Sequence, residues 1–523
     1  MAKVLVIGGA GYVGSSVTAF LMDQGHDPWV LDDLSTGFRS FVLSSKWSHF
    51  QVGDQDQLRK LLSEQKFDCV MHFAARSLVG ESVHKRDEYF ENNVYQTERL
   101  LETLIESGHP GHRRFIFSST CAIYGTAANG EALGPPLGPI DESFAKKPIN
   151  PYGESKLAAE RLLERFAHEN GLQAIALRYF NAAGADPKLR TGEWHHPETH
   201  LLPRVMKAAL EGTPIEIYGT DYPSDDGTCV RDYIHVWDLA RAHEAAMKRL
   251  IQMGQSGGRF EAYNLGSQNG FSVREVIEGS FLVTGKTTSI IEKPRRAGDA
   301  PVLIADSRLA QKQLGFQIHH SLEEIIQDAF RWEEKKKTIP RRAVFLDRDG
   351  TLNEDPGYLN SPDLLKLFPG VAESLGKLKE AGFLLVVTSN QSGVGRGLID
   401  VETLPVIHER LNAMLRPACG VIDHFELCIH HPNSDCECRK PKPKLILDAA
   451  KELDVDVTRS YMVGDKITDV DAGRAAHCKG TLMVRTGEGK GAEHLLRPGQ
   501  ADFVGDSLSE VVDWILAREN EGH

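Results

Sequence analysis

The sequence has no apolar run long enough to span a bilayer, which argues against a helical membrane protein. No internal repeat and no low-complexity segment stands out, so nothing points to a repeat array or a disordered tail. An excess of positive charge is also missing. Lys and Arg number 60 against 73 Asp and Glu, a formal net charge of −13, which argues against nucleic-acid binding, although a local basic patch would still fit. The opening residues MAKVLVIGG lack the charged start, long apolar stretch and cleavage site of a secretory signal. The expectation is a cytoplasmic protein with no membrane partner. Cysteine is scarce, eight residues in 523. Cys69, Cys121, Cys229, Cys419 and Cys478 stand singly and read as free thiols in a reducing compartment.

What is present is ordinary for a soluble globular chain: 41% hydrophobic and 25% charged residues. A length of 523 residues exceeds what one hydrophobic core supports, so at least two domains are expected. Apolar or β-branched runs (VLVIGG, DPWVLDD, CVMHFAA, RFIFSST, AIALRYF) alternate with amphipathic stretches such as YQTERLLETLIESG up to about residue 330. Buried parallel strands with helical crossovers give this pattern. The charged run RWEEKKKTIPRR, residues 331–342, reads as a linker or as the end of a helix that closes the first domain. After it the strand pattern restarts with AVFLDRDGT, FLLVVTSN and YMVGD. The fold class expected is α/β throughout. A Rossmann-type parallel sheet with a smaller α/β lobe, mainly from about 180 onward, fills 1–335. A linker covers 336–341, and a second doubly wound α/β domain fills 342–523.

The first strand runs into GGAGYVG, where Gly8, Gly11 and Gly14 form a GxxGxxG before a helical pattern. Such a turn lets backbone approach a pyrophosphate while the helix directs its first amides at it. Asp32 ends the second strand, eighteen residues after Gly14. A carboxylate there accepts ribose hydroxyls and repels a 2′-phosphate, favouring NAD over NADP. In PYGESK, Tyr152 and Lys156 are four apart and share a helix face. An ammonium beside a phenol favours phenolate, the form that takes a proton from a sugar hydroxyl. A hydroxyl at Thr120, ending the strand FIFSST, could hydrogen-bond the reacting oxygen.

Together with LDDLSTG, HFAARSLVGESV, NNVYQTERLL, LRYFNAAGA, DGTCVRDYIHVWDLA and RRAGDAP, these motifs resemble an extended short-chain dehydrogenase/reductase of the UDP-glucose 4-epimerase family, over nearly all of 1–335. The resemblance implies that Gly8, Gly11, Gly14 and Asp32 hold NAD, with Asp54 near the adenine. It makes Tyr152 the base, Lys156 its partner and Thr120 the proton shuttle. It places Asn181, Arg231, Arg295 and Asp299 at the UDP diphosphate and sugar, and Leu303 at the pocket wall, where its intermediate size leaves hexose, N-acetylhexosamine and pentose open. It implies a homodimer. Related dehydratases carry an Asp-Glu pair after the threonine; here Cys121 and Ala122 follow, which argues against dehydration. Ser77 stands where many members carry lysine.

In the second domain, FLDRDGTLN sets Asp347 and Asp349 two apart at a strand end, on one side of the strand. Paired carboxylates attract Mg²⁺; Asp347 suits attack on phosphorus and Asp349 proton transfer to and from the leaving oxygen. Ser389 could bind a phosphate oxygen, Lys440 could neutralise charge, and Asp465 could complete a magnesium site with Asp347 and Asp349. These groups at successive strand ends resemble the haloacid-dehalogenase (HAD) superfamily. Within it, residues of about 341–520 resemble D-glycero-D-manno-heptose 1,7-bisphosphate phosphatase, with histidinol-phosphate phosphatase a close relative. Arg439 would then meet a distal phosphate. The run CIHHPNSDCECRKPKP offers four soft or borderline ligands, which suit tetrahedral Zn²⁺ better than a cytoplasmic disulfide or a redundant catalytic thiol. The family spacing implies Cys428, His430, Cys436 and Cys438, with His431 the other imidazole. The expected whole is a bifunctional enzyme whose partners are a UDP-sugar and a sugar phosphate, in supply of precursors for surface polysaccharide or lipopolysaccharide. The alternative is that one domain is inactive and serves as a scaffold.

Overall fold

The computed structural model describes residues 1–125, 138–195, 197–254, 257–296 and 299–520. The chain forms two compact units, Met1–Lys336 and Lys337–His523. No helix among the described residues is long and apolar enough to cross a membrane.

The first unit is built on a seven-stranded sheet. Its order is Arg259–Leu265, Gln173–Tyr179, Arg114–Thr120, Cys69–His72, Lys3–Ile7, Asp27–Asp32 and Trp47–His49, all parallel. Side chains alternate across a strand, so each face has its own core. Val4 and Val6 pack into one cluster with Val17, Phe20 and Ile116. Leu5 and Ile7 pack into the other with Leu58, Leu100 and Phe115. The order turns round between Lys3–Ile7 and Cys69–His72, the place where such sheets open a crevice at their carboxyl ends.

The smaller lobe is not everything after residue 180. The helix Val236–Gln252 and the strand Arg259–Leu265 return to the main sheet, and the helix buries Leu239, Ala242 and Met247 in its core. The lobe proper holds short strands: Asn181–Ala183 and Val302–Leu303 run parallel to Val230–His235, and Gly270–Ser272 runs antiparallel to it. A separate pair joins Ile215–Tyr218 and Ile290–Lys293. The charged run after 330 is largely helical, within Leu322–Lys336, where Trp332 is buried.

The second unit has a six-stranded parallel sheet in the order His424–Cys428, Leu384–Asn390, Ala343–Leu346, Tyr461–Gly464, Gly480–Val484 and Phe503–Gly505. The same alternation holds. Val344 and Leu346 face one core, Ala343 and Phe345 the other. The first strand sits mid-sheet, so Asp347 leaves it at the sheet's switch point.

Candidate active sites

In the first unit the glycine turn is forced by the chain itself. Gly8 has φ +81°, and a Cβ there would lie 2.4 Å from the Ala74 nitrogen. A Cβ on Gly14 would lie 2.1 Å from the Gly8 oxygen. Gly11 differs: its Cβ would meet only the Gly8 oxygen, at 3.6 Å. Packing does not demand glycine at that position, but close approach by a ligand would. Gly11 also caps the helix Tyr12–Asp23 without any side-chain hydrogen bond and with no acidic residue in the first turn. The first amides are left to an anion. Asp32 accepts from the amides of Ala10 and Leu34, both at 2.9 Å, and so fixes the turn as well as the strand end. These residues fit a dinucleotide. Asp54, in contrast, caps the helix Gln55–Glu64, accepting from the Gln57 amide at 3.1 Å and its side chain at 2.7 Å.

Tyr152 and Lys156 lie on the first turns of the helix Pro151–Asn170, which starts with Pro at its first position and an Asn150 cap on the Gly153 amide. Gly153 itself gave no sequence signal. A Cβ there would lie 2.6 Å from the Ala122 oxygen, so this glycine lets the helix press against the end of the strand Arg114–Thr120. Tyr152 thereby lies beside Thr120, whose hydroxyl accepts from the Ala122 amide at 3.2 Å. Lys156 is buried and donates to the Ser118 carbonyl at 2.9 Å.

The electrostatics differ from the sequence expectation. Burial pushes the Tyr152 phenol up to about 12, against the pull of the Thr120 hydroxyl. Burial takes the Lys156 ammonium down to about 7, with Glu160 acting the other way. The lysine therefore does not hold the phenol low in the protein alone, because the same dry pocket disfavours both charges. Beneath the pair, Arg178 and Glu160 form a buried ion pair at 2.7 Å, extended by Ser119 and Tyr124.

On the lobe side, Arg231 donates to the carbonyls of Val230 and Ala300 at 2.9 and 2.7 Å and lies 3.6 Å from Asp299. Leu303 is in register with Arg231 and packs on the cluster of Ile123, Tyr124 and Phe180, with Cys121 beside it. Asn181 is half-buried and pairs in register with Tyr233. Arg295 stands apart on the surface, bonded to Asp221 at 2.6 Å and stacked on Tyr222. Ala297 and Gly298 of the same motif lie outside the described residues.

In the second unit the acidic group is Asp347, Asp465 and Asp469, which bring oxygens within 4.8 Å of one another. This group differs in one member from the expected magnesium set of Asp347, Asp349 and Asp465. The Asp349 carboxylate is held elsewhere, by Arg348 at 3.0 and 2.7 Å, Asn353 at 3.0 Å and Gln391 at 2.9 Å. Burial would push Asp349 up, but Arg348 and these donors bring it below the usual carboxylate range. Asp469 was missed because its signal, the second acid of GDKITD, sits on a helix rather than a strand end. It is the third residue of Ile467–Ala475 and accepts from the Lys466 amide.

Lys440 is buried and bridges the group, 3.0 Å from Asp347, 2.6 Å from Asp469 and 2.6 Å from the Thr388 carbonyl. Burial raises Asp465 to about 7, with Asp347 adding to it, and raises Asp469 to about 6 against Lys440. Three acids with one buried lysine and an orphaned oxygen on Asp465 fit a hard cation. Ser389 accepts from Gln391 at 3.0 Å at the neighbouring strand end.

Beside it, Cys428, His430, Cys436 and Cys438 bring one donor each within 4.8 Å. Cys428 and Cys436 sulfurs are 3.7 Å apart, and His430 Nδ1 is 3.8 and 3.2 Å from Cys428 and Cys438. The three cysteines are free thiols. Ligands about 2.0–2.3 Å from one tetrahedral ion stand about 3.3–3.8 Å apart, close to the spacings of this donor set, and three thiols with one imidazole suit Zn²⁺. His431 is turned to the Asn433 amide. Arg439, next to Lys440, has a buried Nη1 with no hydrogen-bond partner.

A dinucleotide turn, a Tyr-x-x-x-Lys helix and a sugar-side lobe define a nucleotide-dependent oxidoreductase-type site, and comparisons with known proteins sharpen it. The family model "NAD dependent epimerase/dehydratase family" matches residues 4–266, and the chain belongs to that family. A second model, "haloacid dehalogenase-like hydrolase", matches residues 227–477, a range that takes in Asp347, Lys440 and Asp465. UDP-glucose 4-epimerase of Halalkalibacterium halodurans is 44% identical over 334 residues, 64% of this chain and 96% of that protein. The crystal structure of UDP-glucose 4-epimerase from Brucella ovis in complex with NAD matches with TM-score 0.59 and 42% identity, over 64% of this chain and 99% of that one. The enzyme from Stenotrophomonas maltophila, with bound NAD and formylated UDP-arabinopyranose, matches with TM-score 0.60 and 33% identity, over 65% and 99%. The protein thus joins a UDP-glucose 4-epimerase-like isomerase domain to a HAD-family hydrolase domain.

Proposed function

We propose that the first unit interconverts the C4 epimers of a UDP-hexose through a 4-keto sugar, and that the second unit hydrolyses a sugar phosphate through an aspartyl-phosphate. The observation that supports the first half is the Thr120–Tyr152–Lys156 arrangement on a helix pressed against a strand end. Gly8, Gly11, Gly14 and Asp32 would hold NAD, which takes up and returns hydride when bound. Tyr152 accepts the C4 hydroxyl proton through or beside Thr120, and Lys156 offsets the phenolate charge that the dry pocket otherwise resists. Arg231, Asp299 and Asn181 face the nucleotide diphosphate and sugar, with Leu303 limiting bulk. Arg295 reaches it only by leaving Asp221, and Asp54 serves the turn as a helix cap.

The second half rests on Asp347 beside Lys440 at the switch point of a parallel sheet. Asp347 attacks phosphorus; Lys440 and Ser389 bind phosphoryl oxygens. Asp349 gives the leaving oxygen its proton and then activates water, a role that requires release from Arg348, since the present contacts favour its anion. Asp347, Asp465 and Asp469 would hold Mg²⁺, which neutralises phosphoryl charge when bound. Cys428, His430, Cys436 and Cys438 would hold a structural Zn²⁺ that braces Arg439 and Lys440. A heptose 1,7-bisphosphate is the substrate class proposed, with Arg439 meeting the second phosphate. A homodimer in the cytoplasm completes the reading.

The test is twofold. UDP-galactose supplied to the purified chain with NAD should yield UDP-glucose. Phosphate release screened across sugar bisphosphates, sugar monophosphates and histidinol phosphate should favour the bisphosphates. Preference for histidinol phosphate would overturn the substrate assignment, and no turnover of UDP-galactose would overturn the first half.

A further inference from the structure

A second cluster of metal-ligating side chains lies in the first unit, made of residues not assigned above. Glu193, His195, Glu198 and His200 bring one donor atom each within 4.8 Å of one another. The segment is anchored on both sides. The Trp332 indole donates to the Glu193 carbonyl at 3.0 Å, and the His195 ring meets the edge of Tyr12 at 6.4 Å between centroids. His200 then caps the helix Leu201–Glu211. Glu193 is only 4% exposed.

The spacings carry the argument. His195 Nδ1 is 3.6 Å from Glu193 Oε1 and 3.6 Å from Glu198 Oε2, and His200 Nδ1 is 3.7 Å from Glu198 Oε1. These are too long for hydrogen bonds. His195 Nδ1 and Glu198 Oε2 are buried and have no hydrogen-bond partner. Two ligands on one tetrahedral ion, each about 2.0–2.2 Å from it, stand about 3.3–3.6 Å apart. The remaining pair, His200 Nδ1 and Glu193 Oε1, is a hydrogen bond that must open for both atoms to become ligands. Two carboxylates and two neutral imidazoles cancel the charge of a divalent cation, and this mixed nitrogen and oxygen set suits a borderline metal.

We propose that Glu193, His195, Glu198 and His200 form a binding site for a divalent transition-metal ion, separate from the cysteine loop of the second unit. Such an ion ties the segment before the helix Leu201–Glu211 to Tyr12, whose hydroxyl bonds the Gly184 carbonyl at 2.8 Å. It takes no part in the proton transfer assigned to Tyr152.

Cobalt distinguishes the two sites, because thiolate ligands add a near-ultraviolet charge-transfer band that nitrogen and oxygen ligands lack. The untagged full chain is stripped with chelator and titrated with Co²⁺ in excess Mg²⁺, which occupies the oxygen-only group of Asp347, Asp465 and Asp469. The expected result is two tightly bound Co²⁺ per chain. Cys436→Ser should lose the charge-transfer band and keep one ion. His195→Ala and the milder Glu198→Gln should keep the band and bind the second ion about tenfold or more weakly, as loss of a ligand or its support does. If Cys436→Ser bound no Co²⁺, or if His195→Ala and Glu198→Gln titrated as the unchanged chain does, the proposal would be overturned.

Discussion

The two units solve the problem of a buried lysine in opposite ways. In the first, Lys156 faces a carbonyl and an aromatic ring, and burial lowers its pKa to about 7. In the second, Lys440 is equally buried but touches two aspartates, which raise its pKa despite burial. The chemistries proposed for them explain the contrast. Hydride moves best in a dry pocket with few fixed charges, so desolvation dominates there. A phosphoryl group brings several negative charges, so its pocket must already balance acids with cations. A buried lysine is therefore a poor label for function until its partners are counted.

The largest effects test whether the two pockets are independent. Tyr152→Phe should lower epimerisation by about 10³-fold, within the usual span for loss of a general base, and leave phosphate release unchanged. Asp347→Asn should do the reverse; a variant that removed both activities would break the comparison. Next come the lysines. Lys440→Met strands buried Asp347 and Asp469 without their cation and should cost the second unit about 3–5 kcal/mol, read by urea unfolding. Lys156→Met, which strands no acid directly, should cost the first unit far less while still abolishing epimerisation. Cys436→Ser, assayed in excess Mg²⁺, should lower phosphate release about tenfold and leave epimerisation intact, since the proposed zinc would brace Arg439 and Lys440 and no residue assigned to epimerisation. The smallest effect is expected of Gly153→Ala. The new Cβ meets the Ala122 carbonyl, costing about 1–3 kcal/mol, and moves Tyr152 from Thr120, so kcat should fall more than KM.

Much of this was legible in residue order. Long runs such as RFIFSST and FLLVVTSN are apolar on both faces, as parallel central strands must be, and they form Arg114–Thr120 and Leu384–Asn390. Among the strands without an expectation, Trp47–His49 has only three residues and Arg259–Leu265 begins with an exposed arginine. Side-chain choice between like neighbours was less legible. The acid that joins Asp347 and Asp465 is Asp469, not Asp349, because Arg348 claims Asp349. Which oxygens converge depends on the turn after the strand, and residue spacing does not encode that. The burial of Tyr152 is less legible for a related reason: spacing brings Lys156 near, but burial depends on every segment around it.

The return of Arg259–Leu265 to the edge of the main sheet has a consequence for synthesis. The sheet's last strand pairs with Gln173–Tyr179, some eighty residues earlier, across an excursion into the lobe that includes Ile215–Tyr218 and Val230–His235. On the ribosome the first unit cannot complete its sheet until its first 265 residues have emerged, and strand Gln173–Tyr179 exposes an unpaired edge meanwhile. The six strands of the second unit pair within one continuous segment of 187 residues, Lys337–His523. A nascent chain truncated near residue 255 should therefore be the species most in need of a chaperone.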